Sequence, residues 1–278
     1  LLPAEIDLVV SGGGFKVCYA VGIVLVLQAL GVRIKRVAGT SAGAQVAFLI
    51  LNQCIDDGIR WTASVAATFV RFPLMRPAPM WEIFYRDMAL RCPVPAPGEF
   101  TVSICEIVSW VPLRGRSLRA SVFDDKPMVS EALLATATVP WLLAGWFRLS
   151  RRFQGRDVVD GGLTDNTPHF TDGLRPQLII SWDNLPRRLR EGLFFSHDEC
   201  LELTQLGIHG GVQLVQQQQQ QELYQKGQQP SCAAIVHPEA DASSWPPAMR
   251  QRRDEVDILA IIRSALVSYI GAAKHAVR

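Results

Sequence analysis

The first fifty residues divide into short aliphatic runs and longer apolar helical patterns, punctuated by glycine. Ile6 to Val10 is an aliphatic run of strand length, and Ser11-Gly12-Gly13-Gly14 ends it abruptly. Phe15 to Leu30 follows as a helical stretch, closed by Gly31 in the position that favours a left-handed C′ residue. The β-branched segment Val32 to Val37 predicts a second strand. After Gly39-Thr40-Ser41-Ala42-Gly43 comes another apolar helical pattern, through about Cys54. The order β-loop-α-β-turn-α predicts an α/β fold with a mostly parallel central sheet covered by helices.

Further along, Trp61 to Phe72 and Met80 to Leu90 predict helices, separated by Pro73, Pro77 and Pro79. Pro93, Pro95, Pro97 and Gly98 mark a loop before a strand at Phe100 to Val108. Lys126 to Thr138 predicts a helix ended by Pro140. Val158-Val159 is a brief strand running into Asp160-Gly161-Gly162, and Gln177 to Trp182 is another. The last third changes character. Gln216 to Gln221 is a glutamine run among helix formers, read as a solvated helix face or polar insertion. Gln228 to Pro247 reads as a loop, and Val256 to Ala273 as a closing helix. No repeat or interdomain linker interrupts the chain. The expectation is one domain over residues 1–278, with a core at about 5–185 and a variable helical C-terminal part at about 186–278.

Composition narrows the class. With 49% apolar and 19% charged residues, the 278-residue chain has the makings of a sizeable core. A formal net charge of +2 and the absence of any RNA or DNA motif argue against nucleic acid as a partner. Six cysteines show neither C-x-x-C nor zinc-type spacing, and Cys18 and Cys54 fall in apolar segments. Reduced thiols in a cytoplasmic protein are therefore expected. The longest apolar stretch, Val17 to Val32, is broken by Gln28 and falls short of a spanning helix.

Candidate chemistry centres on Ser41. A strand, a sharp turn between Gly39 and Gly43, and then a helix is the order a nucleophile elbow needs. An activated serine also needs a base and a place for the developing oxyanion. Gly12, Gly13 and Gly14 are the candidate oxyanion donors, because glycines let substrate approach backbone N–H groups without interference from a Cβ. A dinucleotide loop is the rival reading. Val17 stands where that loop wants its third glycine, and Arg33, Lys35 and Arg36 occupy the second strand, where no acidic residue ends it. Two arrangements supply a base: an Asp160–His169 pair in α/β-hydrolase order, or Asp160 acting on Ser41 directly. Gly161-Gly162 permits the tight turn that would expose that carboxylate.

Taken together, Ser11-Gly12-Gly13-Gly14-Phe15-Lys16, Gly39-Thr40-Ser41-Ala42-Gly43 and Asp160-Gly161-Gly162-Leu163-Thr164-Asp165-Asn166-Thr167-Pro168 resemble the patatin-like phospholipase family in order and spacing. Ala135-Thr136-Ala137-Thr138-Val139-Pro140 is similar to the small-residue helix end that the family places before its aspartate. The resemblance covers about Ile6 to Trp182. It implies a three-layer α/β/α sandwich with a Ser41–Asp160 catalytic dyad, and an oxyanion hole from Gly12 to Gly14. It also implies hydrolysis of lipid acyl esters without metal or cofactor, in lipid catabolism. The family usually carries Arg and then Gly where this chain has Lys16 and Val17. Lys lacks the planar fork of Arg, and Val17 would distort the loop if a positive φ were needed there.

Trp141 to Phe147 is strongly apolar and precedes Arg148, Arg151, Arg152 and Arg156. Ordinary core accounts for the apolar run, with an acyl-pocket wall as one functional reading, and solvated surface accounts for the arginines. An anionic lipid interface is the functional alternative, giving peripheral contact with membranes or lipid surfaces. A second functional class is a lipid-binding or regulatory protein that kept this fold and lost turnover, motivated by Val17 and the C-terminal third.

Overall fold

A computed structural model of the chain describes residues 3–60, 78–110, 113–139, 150–183, 185–191 and 197–225. Strands β1 (Glu5–Val10), β2 (Arg33–Thr40), β3 (Phe100–Trp110), β4 (Leu113–Ala120), β5 (Arg151–Phe153), β6 (Arg156–Asp160) and β7 (Gln177–Ile180) form one seven-stranded sheet. Its order is β5-β6-β3-β2-β1-β7, with β4 pairing β3 outside that path. β7, β1, β2 and β3 are mutually parallel. β4 and β6 run against β3, and β5 runs against β6, so most strands share one direction.

Helices flank this sheet, as the aliphatic strands require. They are α1 (Val17–Ala29), α2 (Ala42–Leu51), α3 (Ala78–Arg91), α4 (Lys126–Thr136), α5 (Arg187–Glu191) and α6 (His197–Gln225). α2 lies on β1, β2 and β3, α4 lies on β3, β5 and β6, and α3 packs on α4. Alternation sorts each strand into two faces. Ile6, Leu8, Val10 and Val37 join Phe48, Phe100 and Leu133 in the main core. The intervening positions Asp7, Arg36 and Thr40 meet the segment between residues 164 and 176 instead. There Arg36 bonds Asp7 and Asp172 and lies 4.4 Å from the Phe170 ring centroid, while Thr40 Oγ1 donates to the Asp165 carbonyl. The Arg36 guanidinium thus pairs one oxygen of Asp7, whose side chain is fully buried.

α1 starts at Val17, after a 3-10 turn at Gly14–Lys16, and Gly31 takes the expected left-handed conformation with φ 74°. α6 packs against α1 with backbones nearly touching: a Cβ on Gly22 would lie 2.2 Å from the Thr204 carbonyl oxygen. The glutamine run continues α6 as helix, and its described side chains are exposed or half-buried. Among the described residues no helix is long and apolar enough to cross a membrane. The predicted helix at 61–72, the apolar run at 141–147 with Arg148, and the predicted loop and helix of 228–273 lie outside the described residues.

β3 brings together the two parts of the chain that matter for chemistry. β4 occupies one flank of β3 from Val102 onward. On the other flank β2 runs parallel, up to Thr40 opposite Ser103, and β6 runs antiparallel, ending with Asp160 opposite Ile104. The C-terminal ends of β2 and β6 therefore meet head-on, held by successive residues of one strand. Ser41 is the next residue after β2, and Asp160 is the last of β6.

Candidate active site

Ser41 adopts φ 54° and ψ −133°, one of three non-glycine residues with positive φ among the described residues. Such a conformation costs on the order of 1–3 kcal/mol and persists only when neighbours over-determine it. The two flanking glycines supply the room. A Cβ on Gly39 would lie 2.6 Å from the Ala44 nitrogen, and one on Gly43 2.3 Å from the Ser11 carbonyl oxygen. Gly43 thus lets the first turn of α2 touch the end of β1, which brings the glycine loop beside the serine.

The serine is held from both ends. Its Oγ donates to Asp160 Oδ2 at 2.5 Å, which leaves it unused as a cap for α2. Its backbone N–H donates to Thr136 Oγ1 at 2.8 Å, and that hydroxyl donates to the Ser103 carbonyl at 2.6 Å. Asp160 is held in parallel fashion. Its N–H donates to the Thr138 carbonyl, and its Oδ1 accepts from Gly162 N–H at 2.8 Å. The end of α4 thus grips both residues. Gly161 packs against β3, where a Cβ would lie 2.2 Å from the Ser103 carbonyl oxygen.

Burial pushes the Asp160 carboxyl above the ordinary aspartate range, partly offset by the Ser41 hydroxyl and the Gly162 amide, which favour the carboxylate. The shift moves it towards the basicity a proton acceptor needs at neutral pH. His169 is exposed, and its backbone carbonyl accepts from Arg119. Both carboxylate oxygens of Asp160 are engaged elsewhere, so of the two sequence-based arrangements the geometry matches the direct one. Among the described residues no three or more His, Cys, Asp and Glu side chains gather as a metal site.

Of the three expected oxyanion donors, one differs. The N–H of Gly12 donates to the Asn166 carbonyl at 3.2 Å, so it is not free to receive an oxyanion. The Gly13 and Gly14 amides have no hydrogen-bond acceptor among the described residues. Gly14 takes the left-handed conformation with φ 61°, whereas Val17 is right-handed helical with φ −57°. The loop's positive φ falls on a glycine, so Val17 imposes none of the strain it would cause at such a position. Lys16 is buried, and burial pulls its ammonium pKa down.

Three residues to which the sequence assigned no role of their own complete the arrangement: Thr136, Asn166 and Trp182. Asn166 Nδ2 and Trp182 Nε1 both donate to the Gly12 carbonyl, at 3.3 and 2.6 Å. Ser11 Oγ and Thr167 Oγ1 lie 2.8 Å apart, which docks the segment after Asp160 onto the loop. The polar run Asp165-Asn166-Thr167 was the available signal for that docking. On its apolar side, Phe15 stacks on Trp81 of α3 at 5.9 Å, and Trp81 Nε1 donates to Gln45 Oε1 of α2.

A family model described as patatin-like phospholipase matches residues 8–171. No curated protein matches. Among solved structures, the crystal structure of VipD from Legionella pneumophila is similar over 64% of this chain and 49% of that one, at 15% identity and a TM-score of 0.37. The chain thus spans about half the length of that protein. The matched segment takes in the glycine loop, the serine turn and the Asp-Gly-Gly turn, and by that match the chain belongs to the patatin-like phospholipase family.

Proposed function

We propose that the protein is a lipid acyl hydrolase that cleaves carboxylic esters through a Ser41–Asp160 dyad. The observation that carries this reading is the 2.5 Å contact between the Ser41 hydroxyl and the Asp160 carboxylate at a strained strand-to-helix turn. Family membership supports a lipid substrate. Phospholipid, galactolipid and neutral-lipid esters share the acyl group on which this chemistry acts.

In the proposed reaction Ser41 Oγ attacks the ester carbonyl carbon while its proton passes to Asp160 Oδ2. The carbonyl oxygen becomes an oxyanion, received by the Gly13 and Gly14 amides, because the Gly12 amide is already engaged. Collapse expels the alcohol, which takes the proton from Asp160 and leaves an acyl-enzyme. Water then attacks the acyl carbon, gives a proton to Asp160, and releases the fatty acid as Ser41 regains its hydrogen. The cycle as proposed draws on no metal or cofactor.

Ser41→Ala and Asp160→Asn are expected to lower hydrolysis of a short-chain chromogenic ester and of phospholipid vesicles by about a thousandfold or more. His169→Ala should leave both rates unchanged. Full activity in the serine variant would overturn the assignment. A folded wild-type protein that binds lipid without turnover would instead favour the lipid-binding reading.

A further inference from the structure

Three consecutive glycines give substrate the closest approach to backbone amides, but they are also the sequence least able to hold its own peptide planes. A rotation of the Gly12–Gly13 peptide would exchange its carbonyl and its N–H, and point an oxygen where a donor is required. Rigidity must therefore come from outside the loop. We propose that Trp182 is a positioning residue for the oxyanion site: its indole N–H locks the Gly12–Gly13 peptide so that the Gly13 amide stays turned towards the reacting carbonyl. This inference rests on the Ser41–Asp160 reading above.

The register of the sheet puts Trp182 in place. β7 pairs with β1 in parallel with Val10 opposite Ile180, and Ser11 N–H continues the ladder to the Ile180 carbonyl. Two residues further along each chain, Gly12 and Trp182 are neighbours. Trp182 Nε1 donates to the Gly12 carbonyl at 2.6 Å. The ring also covers the next residue, since a Cβ on Gly13 would lie 2.4 Å from Nε1 and 3.0 Å from Cδ1. The indole itself is buried and packs edge-on to Tyr19 of α1, with ring centroids 6.4 Å apart.

An indole N–H can only donate. With the peptide planar and trans, the Gly12 carbonyl and the Gly13 N–H point to opposite sides. Holding the carbonyl towards Trp182 therefore directs the Gly13 N–H away from it. In the rotated peptide two donors would face each other in a buried site, each without an acceptor, and that penalty closes off the alternative. Asn166 Nδ2 reinforces the same carbonyl at 3.3 Å, a longer and weaker contact.

Trp182→Phe tests the inference, because phenylalanine keeps an aromatic ring beside Tyr19 and removes the donor. The expected result on a short-chain ester is a fall in kcat of about 10- to 100-fold with KM within about twofold. Affinity for a trifluoromethyl ketone, which binds as a tetrahedral oxyanion, should fall by the same factor as kcat/KM. Unchanged kcat and unchanged ketone affinity, or a loss confined to KM, would overturn it. If Trp182→Phe does not fold, benzothienylalanine at position 182 keeps the bicyclic shape, removes only the N–H, and decides by the same readouts. A wild-type protein without ester turnover and without fluorophosphonate labelling of Ser41 would instead sink the dyad reading.

Discussion

The serine turn and the glycine loop lie side by side, yet they are held in different ways. At the turn, Gly39 and Gly43 are pressed against backbone of the adjoining α2 and β1, and Ser41 carries the strain. In the loop, the glycines are gripped by side chains from far along the chain, Asn166 and Trp182. The turn is dictated by close backbone packing and so is written into its own five residues. The loop is permissive by itself and acquires its shape from residues more than 150 positions away.

The largest expected effect that separates the two is steric. Gly43→Ala sets a Cβ against carbonyl oxygens of Ser11 and Val10 that have no room to move, so a loss of about 3 kcal/mol or more is expected, read as the urea midpoint. Gly13→Ala meets the Trp182 ring instead, a side chain and not backbone. That protein should fold, about 1–3 kcal/mol less stable, with its ester hydrolysis lost. Equal stability losses in the two variants would remove the distinction.

A smaller effect sharpens the account of the turn. Thr136 Oγ1 is the acceptor for the Ser41 amide and is itself fully buried. Thr136→Val keeps the shape and removes the hydroxyl, and it should lower kcat by about 10- to 100-fold through misplacement of the nucleophile. Thr136→Ser should restore most of the rate. A valine variant as fast as wild type would show that strain and packing hold Ser41 unaided.

The smallest expected effect is in pH dependence. In the proposed reaction Asp160 must be ionised to accept the proton, and burial raises its pKa. The acid limb of kcat/KM should therefore fall above the ordinary aspartate value of about 3.9. The sign for stability is the reverse of the usual aspartate. A raised folded-state pKa contributes stability that is fully present below the unfolded value and lost as pH rises through the folded one. Asp160→Asn removes that loss, so at neutral pH it should melt at or above the wild-type temperature while remaining inactive. A marked drop in melting temperature would contradict this.

Much of the fold was legible because its strands are aliphatic runs bounded by glycine. β1, the Gly31 helix stop, α3, β3 and α4 all lie close to where patterning places them. β2 extends past its β-branched part to Thr40 because the ladder with β1 and β3 continues to the turn. β4 was not legible. Leu-Arg-Gly-Arg-Ser-Leu-Arg-Ala carries three arginines and a glycine, and it is a strand only because β3 offers it a long antiparallel partner. β5, Arg-Arg-Phe, is similar: three residues paired to β6.

At the candidate site, residue types and order singled out Ser41, Asp160 and the glycines as candidates, whereas the geometry came from β3. Nothing local indicates that positions 40 and 160 will sit opposite successive residues of one strand. Thr136 lies in a run of alternating alanine and threonine that reads simply as a helix end. Trp182 reads as the apolar end of a strand. Both acquire their contacts only through tertiary register.

The central claim is that Asp160 activates Ser41 directly. Its most direct test is intact-mass and peptide mapping after exposure to a fluorophosphonate, on the wild-type protein and Asp160→Asn. The account predicts one adduct per wild-type chain, on the peptide containing Ser41, and labelling slowed by orders of magnitude in the variant. A wild-type adduct elsewhere, or an Asp160→Asn protein labelled on Ser41 at the wild-type rate, would contradict it.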